Sequence, residues 1–309
     1  MTRGSELYAE LCLRKFVRVK DAVKAILYIG GCGRSGTTVL GFVLGNMGRA
    51  LDLGEVVDFA RFEGAPNGFP PGSPNHEFWA RVRHGMEKET GPINWTRVRR
   101  LSRRYDSHLG AMTCLLTFGL FPRRGRDEYY KYLRSLYEHV QASTEAGVLI
   151  DGSKYAGRLY HLGRVFGSSG VRVVHILRNP IDMAQSMRGS EQTGSRSKPA
   201  ALFYYFMVNV MIRTVSKRLR IRRAQIWYEE LTTNPEKSLQ TIATACDVNT
   251  QQAILKVRAH VPLERGNIFN GNRMRLEESV VLKRTGSRDG GTYSAFDRAV
   301  SRAASSLFG

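Results

Sequence analysis

The chain has 309 residues and a formal net charge of +20, since 47 Lys and Arg side chains outnumber 27 Asp and Glu. Hydrophobic residues make up 42% of it and aromatic residues 10%, so a sizeable core can form and a globally disordered chain is not expected. The basic excess favours an anionic partner: nucleic acid, anionic lipid, or a ligand that carries phosphate or sulfate.

The cysteines and the apolar runs indicate in which compartment the protein resides. The four cysteines form no CxxC pair, which argues against a zinc cluster or a dense disulfide framework and favours a reducing compartment. The longest apolar runs, residues 111–121 and 201–212, are shorter than the roughly 18 residues that cross a bilayer. The N-terminus is charged through Lys24 and lacks the apolar segment of a secretory signal. We therefore expect a cytoplasmic protein.

The first half of the chain opens with a predicted strand at residues 26–30, a glycine-rich loop and a helix from Gly36 to about Met47. Residues 64–74 hold four prolines and three glycines and are predicted to be a loop. Further on, the patterns predict basic helices, a break and another helix, over residues 77–109, 119–126 and 127–146 respectively.

The second half alternates short strands with helices. Strands are predicted at residues 148–150, 171–177 and 224–228. Helices are predicted at residues 155–166, 198–220 and 235–246, and the periodicity fades after about residue 258. Strands separated by helices of this length indicate an α/β fold: a P-loop-like, doubly wound parallel sheet flanked by helices.

Residues 31–38 form the strongest motif, Gly-Cys-Gly-Arg-Ser-Gly-Thr-Thr. Its spacing matches the phosphate loop G-x-x-x-x-G-K-[ST] except that Thr37 replaces the lysine. Glycines admit an anion close to the backbone, and the next helix presents free N–H groups to it. The candidate binding residues are Gly33, Arg34, Ser35, Gly36, Thr37 and Thr38. Without the lysine, one phosphate suits the loop better than a magnesium-bound triphosphate. The alternative is a glycine-rich turn without a ligand.

A second anion site is predicted where the strand at residues 171–177 ends. Arg178-Asn179-Pro180 follows that strand, and Ser186 comes eight residues after Arg178. Ligands of parallel sheets bind at the carboxyl ends of the strands, where both motifs lie. A surface salt bridge for Arg178 and an ordinary helix serine at position 186 are the alternatives.

Together these motifs resemble the sulfotransferases that use 3′-phosphoadenosine-5′-phosphosulfate (PAPS), in particular a bacterial-type branch. The resemblance implies that GRSGTT holds the 5′-phosphosulfate and that Arg178 with Ser186 holds the 3′-phosphate. It also implies that Tyr228, in Trp-Tyr-Glu-Glu-Leu, contacts the adenine region. A C-terminal loop would close over the donor with Gly271, Asn272 and Arg275.

The same resemblance suggests the catalytic groups. Glu55, in Leu-Asp-Leu-Gly-Glu, is similar to the glutamate of tyrosylprotein-type sulfotransferases and is the candidate general base, with Asp52 and Asp58 as rivals. Lys154, in Asp-Gly-Ser-Lys, would stabilise charge on the bridging oxygen, and Arg34 would share that work. The alternatives are a helix-starting Glu55 and surface positions for both cations.

The predicted reaction moves the sulfuryl group of PAPS to a hydroxyl or amine of a glycan, lipid or small metabolite, leaves 3′,5′-bisphosphoadenosine (PAP) as product, and requires no metal. We expect one domain over residues 1–309. Its cofactor core covers about 24–58 and 147–275, and a helical insertion on the acceptor side covers about 59–146. Residues 190–200 are also assigned to the acceptor side.

Basic clusters at residues 97–104 and 213–223 are either solvated helix faces or a surface that recruits an anionic acceptor. The apolar run 201–212 is favoured as a buried core helix over a peripheral membrane contact. Two other functions stay open. The first is an ATP-dependent phosphoryl transferase, which Thr37 disfavours because it replaces the lysine of the phosphate loop. The second is a basic nucleic-acid-binding protein, which would rest on charge alone, so no nucleic-acid partner is expected.

Overall fold

A computed structural model describes residues 25–117, 125–188, 197–282 and 293–309 of the chain. Its centre is a parallel five-stranded sheet in the order β2-β3-β1-β4-β5. The strands are β1 (Ile26–Gly30), β2 (Ala50–Asp52), β3 (Val148–Lys154), β4 (Val171–Leu177) and β5 (Arg222–Trp227). The order reverses at β1, which confirms the doubly wound sheet and puts the switch point beside the glycine-rich loop.

Helices cover both faces of the sheet, and several begin at the proline or capping residue that the sequence provides. Pro74, Pro180 and Pro235 each stand in the first turn of a helix, where a missing N–H costs nothing. The helices are α1 (Thr37–Gly45), α2 (Pro74–Thr90), α3 (Trp95–Tyr105), α4 (His108–Leu116), α5 (Arg126–Ala142), α6 (Ala156–Gly170), α7 (Pro180–Arg188), α8 (Lys198–Arg218), α9 (Tyr228–Thr233), α10 (Pro235–Cys246), α11 (Gln251–Arg258) and α12 (Ala295–Phe308).

Three short elements complete the described fold. They are two 3₁₀ turns, Val56–Phe59 and Arg273–Leu276, and a small antiparallel pair, β6 (Leu263–Glu264) and β7 (Ser279–Val280).

The core has one apolar cluster on each face of the sheet. Alternate β1 residues point to opposite faces: Ile26 and Tyr28 join the cluster under α2–α6 and α8, whereas Leu27 and Ile29 join the cluster under α1, α10 and α11. A third cluster, around Cys32, packs α7 and the start of α8 against α12. The near-continuous apolar runs of β1 and β4 follow from this burial on both faces.

One predicted boundary was wrong, and one helix was missed. The strand expected at 148–150 runs on to Lys154, so the polar Asp-Gly-Ser-Lys segment belongs to β3. Neighbouring strands accept its hydrogen bonds, which offsets its low strand propensity. Helix α12 was not predicted at all, although Ser294 and Asp297 form a capping box at its start.

The apolar run 201–212 lies in α8, where most of its residues are buried, as predicted for a core helix, whereas Phe203 and Val210 are exposed. No helix in the described ranges is long and apolar enough to cross a membrane. The break expected at 119–126 falls largely on residues 118–124, outside the described residues, as do residues 190–196 of the predicted acceptor side and residues 1–24 of the predicted domain.

Candidate active site

The glycine-rich loop joins the end of β1 to the start of α1. Gly36 caps α1 with a φ of 88°, and a Cβ there would overlap the ring of Tyr228. Glycine is therefore required twice at this position, for the left-handed backbone and for the close approach of an aromatic ring. Thr37 and Thr38 follow in the first helical turn and line the pocket described below.

The two predicted anion sites lie together. The Arg178 guanidinium donates a hydrogen bond to the carbonyl oxygen of Arg34 (2.8 Å) and stacks over the Tyr228 ring, 4.9 Å from its centroid. Arg34 in turn donates from Nε to Ser186 Oγ (3.1 Å). Residues far apart in the sequence thus form one cluster at the carboxyl ends of β1, β4 and β5, as ligand sites of this fold class require.

Two polar atoms in this cluster have no partner in the described structure. Ser35 Oγ and Arg178 Nε are both buried and make no hydrogen bond. A buried polar group without a partner is costly, and an anion with several acceptor oxygens would satisfy both donors. The residues present therefore fit a phosphate-bearing ligand.

Glu55 and Lys154 form an ion pair on the other side of the loop, with Lys154 Nζ 2.5 Å from Glu55 Oε1. About a fifth of each side chain is exposed, at 22% and 21%. Glu55 follows β2, and its backbone N–H donates to the carbonyl of Asn270 (2.9 Å). Lys154 ends β3 with a φ of 71°. The structure thus brings two of the three predicted catalytic residues into direct contact, whereas the third, Arg34, contacts Ser186.

A bulge in β3 sets the position of Lys154. Tyr28 of β1 pairs with Asp151, but Gly30 pairs with Lys154, so β3 holds one more residue than β1 over this interval. The extra residue shifts the strand by one step and ends it beside Gly30, the last residue before the glycine-rich loop.

The C-terminal loop closes the pocket above Glu55. A Cβ at Gly271 would lie 3.6 Å from Glu55 Oε1. Arg275 is buried and donates to the carbonyls of Gly271 (2.9 Å) and Asn67 (3.2 Å). Burial lowers the pKa of Arg275, and the Glu55 carboxylate opposes that shift. Asn272 plays a different role, because its side-chain oxygen accepts the Met274 N–H and caps a 3₁₀ turn.

The pocket between these walls holds about 290 Å³ of space, open solvent included, and is lined by Glu55 and Lys154 but not by Arg34, the third predicted catalytic residue. Its lining residues are Ile29, Thr37, Thr38, Gly41, Asp52, Gly54, Glu55, Gly152, Lys154, Ile268, Asn270, Gly271 and Arg275. Its lining runs from Thr37 and Thr38 of the phosphate loop to the glutamate–lysine pair.

Burial shifts the pKa of both rival bases. Asp52 is buried, which raises its pKa to about 7, although a hydrogen bond from the Gly54 N–H opposes the shift. Burial also raises the pKa of Asp58, and Asn270 Nδ2 donates to its carboxylate (2.5 Å). Neither carboxylate is paired with Lys154, whereas Glu55 is.

A buried charge cluster supports β3 from below. The Arg158 guanidinium lies 3.6 Å from a carboxylate oxygen of Asp106 and 3.6 Å from one of Asp151, with all three side chains almost fully buried. Tyr137 donates to Asp151, and Tyr129 donates to Asp106. We name Asp106, Asp151, Arg158, Tyr129 and Tyr137 the buried charge cluster.

Ser153 connects the buried charge cluster to the pocket. Its hydroxyl donates to Asp151, and its oxygen accepts the backbone N–H of Val57 (3.0 Å). Val57 lies two residues after Glu55, and Ser153 precedes Lys154, so this link fixes the two strand ends that carry the ion pair.

Sequence reasoning missed Asn270 and the buried charge cluster. Asn270 was one residue outside the recognised loop, although the dense Asn and Gly residues at 266–272 were a signal for special backbone there. The buried charge cluster joins residues from several helices and a strand, so no local pattern marks it. Among the described residues, no group of three or more His, Cys, Asp or Glu side chains is arranged to hold a metal ion.

Comparisons with known proteins bear on the family and the fold of this chain. A family model described as "Sulfotransferase family" matches residues 27–252. Among solved structures, the sulfotransferase domain from the curacin biosynthetic pathway has 15% identity and a TM-score of 0.53, over 93% of this chain and 98% of its own. At that identity the likeness concerns the fold. A search of curated proteins finds no match.

Two further solved structures are similar over a smaller share. Sulfotransferase STF9 from Mycobacterium avium has 14% identity and a TM-score of 0.46, over 83% of this chain and 73% of its own. A sulfotransferase from Alicyclobacillus acidocaldarius has 16% identity and a TM-score of 0.38, over 73% of this chain and 81% of its own.

Proposed function

The chain belongs to the sulfotransferase family, and from this premise we propose that it transfers the sulfuryl group of PAPS to an acceptor hydroxyl or amine, with Glu55 as general base. The observation that carries the proposal is the contact between Glu55 and Lys154 beside a phosphate loop that lacks the Walker lysine. In-line group transfer needs a base on the acceptor side and a cation on the leaving-group side, and this pair supplies one of each.

The donor would be held by its two anionic ends. The loop residues from Gly33 to Thr38, with the unpartnered Ser35 hydroxyl, would hold the 5′ end. Arg178 and Ser186 would hold the 3′-phosphate, and the unpartnered Nε of Arg178 is a donor for it. Tyr228 offers a ring surface to the adenine region. When bound, PAPS supplies an activated sulfuryl group and a phosphate leaving group.

On the acceptor side, Glu55 would take the proton from the attacking hydroxyl or amine. Lys154 would neutralise charge that develops on the leaving oxygen, and Arg34, in the phosphate loop, would add to the positive potential. The Glu55 carboxylate raises the pKa of Arg275 and is paired with Lys154, so it would act between these two cations. Gly271 leaves space next to Glu55 Oε1, where a larger side chain would approach it.

The proposed acceptors are hydroxyls or amines of glycans, lipids or small metabolites. We also propose a cytoplasmic location, because the four cysteines form no CxxC pair and favour a reducing compartment. The ATP-dependent alternative is disfavoured, because Thr37 occupies the place of the lysine that reaches the β- and γ-phosphates. The family assignment likewise disfavours a nucleic-acid-binding role.

Ligand stabilisation tests the donor assignment. A ligand stabilises only the state that it binds, so PAP should raise the melting temperature well above the shift given by Mg-ATP at equal concentration. Equal shifts from the two nucleotides would contradict a site built for two separate anionic ends.

Arg178→Ala sharpens the same test, because only PAP has a 3′-phosphate. The variant should bind PAP more weakly by about 1.5–3 kcal/mol, the worth of a charge-assisted hydrogen bond, and adenosine-5′-phosphosulfate almost as well as the wild type. Ser186→Ala should also weaken PAP binding more than adenosine-5′-phosphosulfate binding, but by a smaller amount than Arg178→Ala. A similar loss for both ligands would mean that Arg178 acts by holding the loop and not by contacting the 3′-phosphate.

A further inference from the structure

Helix α4 presents an apolar stripe to solvent beside the pocket. Leu109 is 67% exposed, Met112 44% and Leu116 73%. These positions are spaced i, i+3 and i+7, so they share one face of the helix, and the opposite face buries Ala111 and Cys114. An amphipathic surface helix normally has polar residues on its solvent-facing side, whereas α4 has leucine and methionine there.

Helix α8 extends the stripe. Phe203 is 73% exposed and Val210 40%, again seven residues apart on one face. The two helices meet where Tyr204 Oη lies 3.5 Å from His108 Nε2. Of the twelve large apolar side chains that are exposed in the described residues, five lie on these two helices. We name Leu109, Met112, Leu116, Phe203 and Val210 the apolar face.

The two helices run side by side away from the pocket. His108 Nδ1 lies 3.5 Å from the N–H of Ala156 at the start of α6, and Cys114 Sγ lies 3.9 Å from His161 further along α6. Helix α4 therefore follows α6 in the same direction. Helices α6 and α8 both connect parallel strands, so they also share a direction. The apolar face therefore lies on two parallel helices that touch at Tyr204 and His108.

Cations border the far end of the apolar face. Lys217 lies one helical repeat beyond Val210 on the outer side of α8 and is exposed. Arg164 on α6 is exposed as well, and Arg164, Arg126 and Arg218 each oppose the rise that burial causes in the pKa of the Tyr160 hydroxyl. Asp127 lies next to Arg126, at 3.7 Å, and offsets part of this charge.

We propose that the apolar face docks on the surface of an anionic phospholipid bilayer. Leucine, methionine and phenylalanine side chains would enter the boundary between headgroups and acyl chains, and the bordering cations would meet lipid phosphates. Charge complementarity selects this occupant: the chain carries +20, and a negatively charged leaflet attracts basic segments near its surface. An exposed apolar patch rimmed by polar residues is the usual mark of such a contact.

Docking in this orientation would set the pocket close to the bilayer. Tyr155, the residue after Lys154, is 38% exposed, and its ring lies 5.1 Å from that of His108, at the start of the apolar face. The docking surface is separate from the residues that hold the donor, so vesicle binding can be measured independently of sulfuryl transfer.

Vesicle flotation tests the proposal with the full chain. Binding to vesicles of equal parts phosphatidylcholine and phosphatidylglycerol should exceed binding to phosphatidylcholine alone and should fall as salt is added. The double variant Leu116→Gln/Phe203→Gln should bind the mixed vesicles at least about tenfold more weakly, since two apolar side chains no longer leave water. The matched control Leu255→Gln/Phe296→Gln changes a leucine and a phenylalanine of similar exposure elsewhere and should bind like the wild type.

Charge variants provide a second route if the apolar double variant does not fold. Arg164→Gln and Lys217→Gln should each weaken binding to the mixed vesicles about fivefold and leave the melting temperature unchanged. Equal binding of the wild type to both vesicle types, or equal losses in the double variant and its control, would overturn the proposal. So would a double variant that binds vesicles like the wild type but sediments as a smaller species, which would assign the apolar face to self-association.

Discussion

Strand β3 contributes to two clusters of opposite charges that differ in burial and in composition. Three residues before its end, Asp151 belongs to the buried charge cluster, where Arg158 lies 3.6 Å from each of two carboxylates in a fully buried setting. At its end, Lys154 meets Glu55 at 2.5 Å with about a fifth of each side chain exposed. The β3 bulge lies between Asp151 and Lys154, so one strand contributes a residue to each cluster.

The difference teaches how burial divides labour between charges. A charge removed from water with its partners in place is costly to disturb, because losing one partner leaves the others uncompensated. A partly exposed pair contributes little to stability but can exchange its partner for a ligand or a proton. We therefore expect the buried charge cluster to act on folding and the Glu55–Lys154 pair to act on turnover.

The largest expected effect is on catalysis at Glu55. Glu55→Gln keeps the shape and a hydrogen-bonding group but removes basicity, so kcat should fall by about 10²–10⁴ with PAP affinity nearly unchanged. Steady-state rates with an alcohol acceptor and PAP titrations measure the two quantities. Asp58→Asn is the matched control and should retain most of the rate. A wild-type rate in Glu55→Gln together with a large loss in Asp58→Asn would move the base to Asp58.

Arg158→Met should have the largest effect on stability. It leaves Asp106 and Asp151 buried without their cation, which costs about 3–5 kcal/mol of the free energy of unfolding. Urea unfolding of the variant beside Arg164→Met, an exposed arginine on the same helix, measures the difference. The control should stay within about 0.5 kcal/mol of the wild type. Equal unfolding midpoints for the two variants would contradict a structural role for the cluster.

Asp52 gives the stability a pH dependence. Burial raises its folded pKa to about 7, above the ordinary value of 3.8, so between these values the folded state holds a proton that the unfolded state has lost. Stability from this group is therefore present at low pH and is lost as pH rises towards 7, by about 1.4 kcal/mol per pH unit.

Asp52→Asn cannot titrate and should not lose this contribution. Burial lowers the pKa of His108 and of His175 to about 4, which acts in the opposite direction but equally in both proteins. The difference between wild type and Asp52→Asn in urea midpoint, followed from pH 4 to pH 7, isolates the aspartate. A difference that is constant across this range would show that Asp52 is ionised throughout.

Ser153→Ala should give a smaller effect that lies between the two clusters. It removes the hydrogen bond from the Val57 N–H and loosens the link between the strand ends that carry Glu55 and Lys154. We expect a loss of about 1 kcal/mol of transition-state stabilisation, seen as a several-fold lower kcat, with PAP affinity unchanged. Ser153→Thr keeps the hydroxyl and should recover part of the rate. No recovery, or an equal loss of PAP affinity, would assign Ser153 to packing alone.

Sequence patterns predicted the parts of the site that are local in the chain. Strand β1, the glycine-rich loop and α1 are contiguous, and their residue types specify the anion site without help from elsewhere. The sequence also marked Glu55 and Lys154 one at a time, through resemblance. Their contact could not be derived, because 99 residues separate them and a bulge in β3 determines where Lys154 lies.

Long-range features account for what the sequence did not reveal. Asn270 accepts the Glu55 N–H through its carbonyl, and any residue has a carbonyl, so the contact leaves no compositional signal. Arg158 is one more arginine in a chain with 47 basic residues, and only packing from α3, α5 and β3 makes it buried. Likewise, hydropathy alone could not separate the buried side of α8 from Phe203 and Val210.

The most direct test of the division between the two clusters is a paired measurement on Lys154→Met and Arg158→Met. Each variant's free energy of unfolding in urea and its single-turnover rate of sulfuryl transfer from saturating PAPS are determined under one set of conditions in which both proteins are folded. The account predicts a crossover. Lys154→Met should lose less than about 1 kcal/mol of stability but at least about 10²-fold in rate, and Arg158→Met should lose about 3–5 kcal/mol of stability with a far smaller loss in rate. Parallel losses of rate and stability in the two variants would contradict it.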